Sequence, residues 1–195
     1  MFTGIIEQQA KVEEIVKDQS NVHFRLSSLF QNELKVDQSV AHNGVCLTVT
    51  KIDNNGYWVT AIDETLQRTN LNHWHVNDLV NVERCMPAHG RFDGHIVQGH
   101  VDQIGTCVAI EEAGGSWHYT FEYDSALNNI TIEKGSITVN GVSLTVVNSK
   151  ANQFSVAIIP YTYEHTNFNA FQIGTVINLE FDVIGKYVSR LYNPQ

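Results

Sequence analysis

Two segments of the sequence are near-copies of each other. NGVCLTVT begins at residue 43 and NGVSLTVV begins at residue 140, so the copies share six of eight positions at an offset of 97 residues (140 − 43). Three further matches follow the same order at an offset of 97 or 95: IDETLQRTNL (62–71) with IPYTYEHTNF (159–168), VNDLVNVE (76–83) with IGTVINLE (173–180), and TGIIEQQAKVEEI from residue 3 with QGHVDQIGTCVAIEE from residue 98. A duplicated unit of about 90–97 residues is too long for a solenoid repeat, so we predict two small, similar domains.

Each copy has the residue pattern of a β-domain. In the first copy, VHFRLSS (22–28) and GYWVTAI (56–62) alternate apolar and polar residues, as half-buried strands do. Asn43-Gly44 and Asn54-Asn55-Gly56 are typical of tight turns. Five or six strands in about 90 residues favour a closed barrel, because closure leaves no open sheet edge. The sequence therefore predicts an all-β fold of two tandem barrels.

The C-terminal segment has no counterpart inside the repeat. Ile184, Tyr187, Val188 and Leu191 fall at i, i+3, i+4 and i+7, which predicts a short α-helix with one apolar stripe. The stripe can pack on its own barrel or form an oligomer contact, and the sequence does not separate these alternatives. Loss of periodicity in CMPAHGRFD (85–93) indicates a linker. We predict domains at 1–90 and 91–182, followed by the helical tail at 183–195.

Composition excludes several functions. The net charge of −9, from 12 basic and 21 acidic residues, is unfavourable for contact with nucleic acid or with an anionic membrane surface. No apolar run approaches the roughly 18 residues of a membrane span. The three cysteines lack a C-x-x-C motif, so neither a disulfide framework nor a zinc site is expected. MFTGIIEQQ lacks the features of a signal peptide, and we expect a cytoplasmic protein.

The repeated segment supplies the first candidate site residues. Strand alternation places Cys46 beside Thr48, and Ser143 beside Thr145, on equivalent faces of the two copies. Small polar residues also fit a tight strand start, but their paired occurrence favours contact with a ligand. No G-x-S-x-G motif or cysteine-protease signature surrounds them. A hydrolase is therefore poorly supported.

GHIVQGHVD at residues 94–102 supplies two histidines. His95 and His100 are five residues apart, so on a strand they would lie on opposite faces and would not share a metal ion. The sequence leaves open which of the two is structural and which faces a site, where a histidine can carry a proton near neutral pH. Asp182 lies at the junction of barrel and tail, and Lys134 precedes a glycine turn.

Taken together, the motifs resemble those of the riboflavin synthase family. The resemblance rests on MFTGIIE, AHNGVCLTVT, ETLQRTNL, VNVER, GHIVQGHVD, KGSITVNGVSLTVV and LEFD, which cover the chain in order. It implies two six-stranded Greek-key barrels and a homotrimer held largely by C-terminal helices. It also implies a transferase that needs no cofactor. In this reaction, a four-carbon unit passes between two molecules of 6,7-dimethyl-8-ribityllumazine, giving riboflavin and 5-amino-6-(ribitylamino)uracil.

The resemblance also implies the residues of the two half-sites. The N-half pocket would use Gly4, Ile5, Ile6, Cys46, Leu47, Thr48, Thr60, Ala61, Ile62, Asp63, Glu64 and Thr65. The C-half pocket would use Gly99, His100, Val101, Lys134, Ser143, Leu144, Thr145, Ala157, Ile158, Ile159, Pro160, Tyr161 and Thr162. The residues implied in turnover are Phe2, Cys46, His100, Ser143 and Asp182.

This chain departs from the family pattern in the second copy. Tyr161, Tyr163 and His165 stand where Glu, Leu and Arg are usual, and Asp93 and Gln98 replace small residues. A non-catalytic lumazine-binding antenna protein is the alternative function, since such proteins resemble the enzyme throughout. Retention of polar residues in the second copy, including Ser143 and His100, favours the enzyme.

Overall fold

The computed structural model describes residues 1–192. The first half contains β1 (Gln8–Asp18), β2 (Asn21–Ser27), β3 (Ser39–His42), β4 (Val45–Asp53), β5 (Gly56–Ala61), α1 (Asp63–Arg68) and β6 (Leu79–Arg84). The second half contains β7 (Gln103–Ala113), β8 (Ser116–Tyr123), β9 (Ser136–Val139), β10 (Val142–Val147), β11 (Gln153–Ile158), α2 (Pro160–His165), β12 (Val176–Phe181) and α3 (Val183–Tyr192). Short 3₁₀ helices span Gln31–Glu33, Asn70–His73, Ser125–Leu127 and Asn167–Ala170.

The strands form two closed antiparallel barrels of six strands each. Hydrogen-bonded neighbours follow the order β1-β2-β5-β4-β3-β6 in the N-barrel. Adding six to each strand number gives the order of the C-barrel, β7-β8-β11-β10-β9-β12. The predictions of an all-β fold with paired barrels and a short C-terminal helix are confirmed. The helical turns α1 and α2 were not predicted, and residues 193–195 of the predicted tail lie outside the described residues.

Side-chain alternation explains why the repeated strand has a chemically useful outer face. In β4, Val45, Leu47 and Val49 are buried in the barrel core. Cys46 and Thr48 therefore point outward, where Thr48 is exposed and Cys46 is half-buried. The same alternation in β10 places Ser143 and Thr145 on the outer face of the C-barrel. The duplicated sequence thus presents one pair of small polar residues on each barrel.

The Asn-Gly turns that open these strands meet where the barrels join. A Cβ atom on Gly44 would lie 2.8 Å from the backbone nitrogen of Gly141, and a Cβ on Gly141 would lie 2.8 Å from the nitrogen of Gly44. Contacts this close leave no room for a side chain. The repeated glycine is therefore a requirement of barrel docking as well as of turn geometry.

Buried asparagines also join the barrels. They are Asn43, Asn70, Asn81, Asn140, Asn167 and Asn178. The Asn81 side-chain N–H donates to the carbonyl of Asn140 (3.0 Å) and to the side chain of Asn167 (2.9 Å). The equivalent Asn178 donates to the carbonyl of Asn43 (2.9 Å) and to the side chain of Asn70 (2.9 Å). Because these polar groups are buried and hydrogen-bonded, they favour one specific docking of the barrels.

A buried histidine makes the N-barrel sensitive to acid. His42 is fully buried and its Nε2 lies 2.9 Å from the Tyr57 hydroxyl. Burial lowers the pKa of His42 from 6.5 to about 4. Between these values the unfolded chain binds a proton that the folded chain does not, so the free energy of unfolding falls as pH falls. We expect this histidine to remove about 2 kcal/mol of stability between pH 7 and pH 5.

The second barrel suggests the control for this prediction. At an offset of 97 residues, Val139 and Phe154 occupy the positions of His42 and Tyr57. Urea unfolding of the double variant His42→Val/Tyr57→Phe should therefore show a weaker loss of stability between pH 7 and pH 5 than the unsubstituted chain. Equal losses in both proteins would show that acid acts through other groups.

Within residues 1–192, no helix combines the length and the apolar character required to cross a membrane.

Candidate functional site

Each repeated strand is covered by the opening loop of the other copy. The backbone N–H of Ser143 donates to the carbonyl of Gly4 (2.8 Å), and the N–H of Cys46 donates to the carbonyl of Gly99 (2.9 Å). Gly4 and Gly99 have φ angles of 77° and 79°. A Cβ at either glycine would lie 2.6 Å from the Cβ of the residue it faces. Both the backbone conformation and the close contact therefore require glycine.

This exchange corrects the sequence-based grouping of the half-sites. Gly4, Ile5 and Ile6 were assigned to the N-half, but Gly4 lies against Ser143 and Ile6 packs on the C-barrel core. Gly99, His100 and Val101 were assigned to the C-half, but Gly99 lies against Cys46 and Val101 packs on the N-barrel core. That grouping is wrong because each opening segment crosses to the other barrel. Sequence order carries no signal for such an exchange.

A buried carboxylate holds each opening loop. Glu83 in β6 accepts hydrogen bonds from the backbone N–H of Thr3 (2.7 Å), the Thr3 hydroxyl (2.9 Å) and the N–H of Gly4 (3.0 Å). Glu180 in β12 accepts from the backbone N–H groups of Gln98 (2.7 Å), Gly99 (2.9 Å) and His100 (3.0 Å). Neither carboxylate was singled out from the sequence. VNVE and INLE recur in the repeat, and this was the available signal.

Ser143 is paired with His95. Its hydroxyl lies 2.7 Å from His95 Nδ1, and the other ring nitrogen lies 3.2 Å from the Thr138 hydroxyl. Burial lowers the pKa of His95, while the negative charge of Asp182 opposes that effect. A neutral imidazole can satisfy both contacts by accepting at one nitrogen and donating at the other. His95 can therefore exchange a proton with the Ser143 hydroxyl, a role that the sequence left open between His95 and His100.

Cys46 has a different environment from Ser143. Burial raises the pKa of the Cys46 thiol, which keeps the proton on sulfur at neutral pH. Phe2 is fully buried beside Ala41 and Val97, and this cluster packs against Cys46. The two half-sites therefore share a backbone plan but differ in chemistry. One has a hydroxyl bonded to imidazole, and the other has a protonated thiol.

The other two residues implied in turnover are connected to the last strand of the C-barrel, β12. His100 is exposed, and its backbone N–H is held by Glu180. Asp182 accepts a hydrogen bond from the N–H of Ile184 (2.9 Å), at the start of α3. Asp182 therefore contacts the C-terminal helix, and its negative charge also acts on His95.

The remaining predicted residues divide between outer face and core. Thr48 and Thr145 lie exposed on the outer faces, with Ala157 also exposed on β11, while Leu47, Ala61 and Ile158 are buried in the barrels. The Thr60 hydroxyl lies 2.8 Å from His23 Nδ1. Leu144 lies in β10 beside Ser143. Other members of the predicted set occupy the segments around α1, α2 and the turn before β9: Ile62, Asp63, Glu64, Thr65, Lys134, Ile159, Pro160 and Thr162.

The departures in the second copy form aromatic stacks. The rings of Tyr163 and Trp117 are 3.8 Å apart with an interplanar angle of 6°. Tyr161 stacks on His165, with ring centroids 4.0 Å apart. The equivalent positions in α1 carry an ion pair, in which Arg68 Nε lies 3.3 Å from Glu64. The helical turn that borders each half-site is therefore stabilised by charge in the N-barrel and by ring stacking in the C-barrel.

Two clefts border the segment that opens the first copy. One of about 620 Å³ has Thr3, Ile5 and Ser39 in its wall. Another of about 670 Å³ is bordered by Ile6 and by Tyr161 and His165 of α2. Among the described residues, no group of three or more His, Cys, Asp or Glu side chains is arranged to hold a metal ion. Both cleft volumes fall within the range of about 300–1,000 Å³ that is typical of small-molecule sites.

Comparison with known proteins finds one family in both copies of the repeat. Residues 3–85 and 98–182 each match the family described as Lumazine binding domain. A riboflavin synthase from Actinobacillus pleuropneumoniae is 42% identical over 192 residues, covering 97% of this chain and 89% of that protein. Riboflavin synthases from Bacillus subtilis and Mycobacterium bovis are each 39% identical, covering 97% and 98% of this chain and 89% and 98% of those proteins.

Solved structures with the same fold include two complexes of LumP. LumP complexed with riboflavin has a TM-score of 0.85 at 21% identity, covering 93% of this chain and 100% of that chain. LumP complexed with 6,7-dimethyl-8-(1'-D-ribityl) lumazine has a TM-score of 0.84 at 18% identity, with coverage of 92% and 98%. At these identities the similarity shows the fold. Fold and family match together define a protein with two lumazine-binding domains.

The chain belongs to the riboflavin synthase family.

Proposed function

We propose that the protein is a riboflavin synthase. It binds two molecules of 6,7-dimethyl-8-ribityllumazine and transfers a four-carbon unit from one to the other. The products are riboflavin and 5-amino-6-(ribitylamino)uracil, and the reaction makes the enzyme a transferase. The observation that carries this proposal is the pair of reciprocal half-sites, in which Gly4 faces Ser143 and Gly99 faces Cys46. A reaction between two copies of one molecule requires two binding sites of similar chemistry, and the two related half-sites provide them.

Positioning is the larger part of the proposed catalysis. Holding two heterocycles face to face converts a bimolecular encounter into an internal step, which can lower the barrier by about 7–11 kcal/mol at best. The outer faces around Thr48 and Thr145 supply polar groups for the ribityl hydroxyls. The 7-methyl group of one lumazine must then lose a proton. The Ser143 hydroxyl and His95 are placed to move it.

We assign roles to the residues implied in turnover on this basis. Ser143 contacts the reacting ring, and Cys46 makes the equivalent contact in the other half-site. Phe2 packs beside Cys46 and fixes the N-terminal segment, since its backbone pairs with Val97 (2.8 Å). The backbone N–H of His100 is held by Glu180, and Asp182 joins β12 to α3.

The proposed active unit is a homotrimer. In a single chain, the outer faces around Cys46 and Ser143 belong to different barrels and each can hold one lumazine. A neighbouring subunit would bring an N-half and a C-half together, so the complete site forms between chains. The working compartment we propose is the cytoplasm, where Cys46, Cys85 and Cys107, all free thiols in the structure, stay reduced.

Incubation of the purified chain with 6,7-dimethyl-8-ribityllumazine tests this function. We expect the visible absorbance of riboflavin to grow, with two lumazine molecules consumed for each riboflavin formed. A stable, stoichiometric fluorescent complex without riboflavin formation would instead identify a non-catalytic antenna protein. Absence of both binding and turnover would contradict both functions.

A further inference from the structure

Two buried glutamates occupy equivalent positions on the last strand of each barrel. Glu83 in β6 and Glu180 in β12 are separated by the repeat offset of 97 residues (180 − 83). Their exposed fractions are 5% and 3%. Each carboxylate receives three donors from one short loop. Within residues 1–192, no Lys or Arg lies within salt-bridge distance of either carboxylate. The hydrogen bonds of each glutamate side chain therefore hold its loop in place.

The loops held by these glutamates extend to the other barrel. Glu83 belongs to the N-barrel, but the loop it holds presents the carbonyl of Gly4 to Ser143 of the C-barrel. Glu180 belongs to the C-barrel, but its loop presents the carbonyl of Gly99 to Cys46 of the N-barrel. Each carboxylate is therefore connected, through the loop it holds, to the repeated strand of the other barrel. That strand is β10 for Glu83 and β4 for Glu180.

We propose that Glu83 and Glu180 are crossed positioning residues, each fixing from its own barrel the loop that completes the ligand site on the opposite barrel. Glu83 controls the C-half site around Ser143, and Glu180 controls the N-half site around Cys46. Neither carboxylate touches the ligand. This inference rests on the proposed function, because it assumes that the two outer faces bind the lumazine or its riboflavin product.

Hydrogen-bond geometry indicates how to disturb one loop at a time. An ionised carboxylate offers only acceptors to the three converging donors, whereas glutamine offers one acceptor and an N–H₂ group that opposes a donor. Glu83→Gln should therefore displace Thr3 and Gly4 while leaving the residue volume nearly unchanged. Glu180→Gln should do the same to residues 98–100. Each substitution is the control for the other because the two sites are equivalent by duplication.

A glutamate that merely stabilised its own barrel would behave differently. It would weaken ligand binding on its own barrel, or on both barrels equally through general destabilisation. The crossed arrangement predicts loss on the opposite barrel only. The identity of the affected half-site therefore separates the proposed role from an ordinary structural one.

The experiment resolves the half-sites by NMR of the full-length protein carrying ¹³C-methyl threonine. Thr48 reports on the N-half and Thr145 on the C-half, and both lie exposed on the outer faces. Riboflavin is titrated as a ligand that does not turn over. We expect Glu83→Gln to weaken binding at Thr145 by about 10-fold or more, with the affinity at Thr48 changed by less than about 2-fold. Glu180→Gln should give the opposite pattern.

A milder variant guards against failure to fold. Thr3→Val removes the hydroxyl that donates to Glu83 (2.9 Å) and keeps the carboxylate. Its smaller effect should also fall on Thr145 alone. Uncrossed effects, equal effects at both reporters, or unchanged binding in these variants would overturn the inference. Absence of riboflavin binding at either reporter in the unsubstituted protein would count against the proposed function instead.

Discussion

Replacing Ser143 with alanine is expected to lower riboflavin formation by about 10²-fold, the lower end of what one proton-transferring group contributes. The hydroxyl is 2.7 Å from His95 Nδ1, so its loss would break the proposed path by which a proton leaves the reacting methyl group. The backbone N–H that bonds Gly4 is kept, and the half-site should retain its shape. We therefore expect the maximal rate to fall much more than the affinity for the lumazine.

Steady-state assays with matched variants check this expectation. Ser116→Ala removes a serine hydroxyl that donates within the β7–β8 turn (2.9 Å to Ala113) and should leave turnover unchanged. His95→Gln should lower the rate in the same way as Ser143→Ala, and the double variant should be little worse than either single variant, because the two side chains act as one unit. Full turnover in Ser143→Ala would exclude this pair from the chemistry.

The barrel fold was predictable because its causes are local and repeated. Alternating residues in 22–28 and 56–62 became β2 and β5, and the Asn-Gly turns became the joints between β3 and β4 and between β9 and β10. The helices α1 and α2 were missed because six residues are too few for a helical period to stand out. Each begins two residues after the end of a strand.

The crossing of the opening loops was not predictable from one sequence. Repeat alignment places Gly4 and Gly99 at equivalent positions, but it contains no information on which barrel each one covers. The contacts that decide this are carbonyl groups accepting from Ser143 and Cys46, and backbone groups have no signature in the residue types. The same limit applies to His95, whose importance depends on a neighbour 48 residues away in sequence.

Helix α3 carries the structural support for the proposed oligomer. Lys186 on one side of the helix lies 2.7 Å from the Asp102 carboxylate, which ties the helix to its own barrel. The predicted stripe lies elsewhere on the helix, and Ile184, Tyr187 and Leu191 are 62%, 71% and 78% exposed. An apolar stripe left this open favours burial against another chain over packing on its own barrel. Of the two alternatives open from sequence, the geometry supports the oligomer contact.

Deletion of the chain from Ile184 onward is therefore expected to convert trimers into monomers. Sedimentation equilibrium should show a mass near three times the 21.9 kDa chain before truncation and close to one chain afterwards. Because each monomer keeps both outer faces, riboflavin should still bind. Turnover should fall by more than about 10²-fold, because the two ligands are no longer held together. Ile184→Asp/Leu191→Asp should reproduce the loss with the helix retained, whereas Lys186→Ala should keep the trimer. A trimer that survives both the truncation and the double substitution would show that other surfaces hold the chains together.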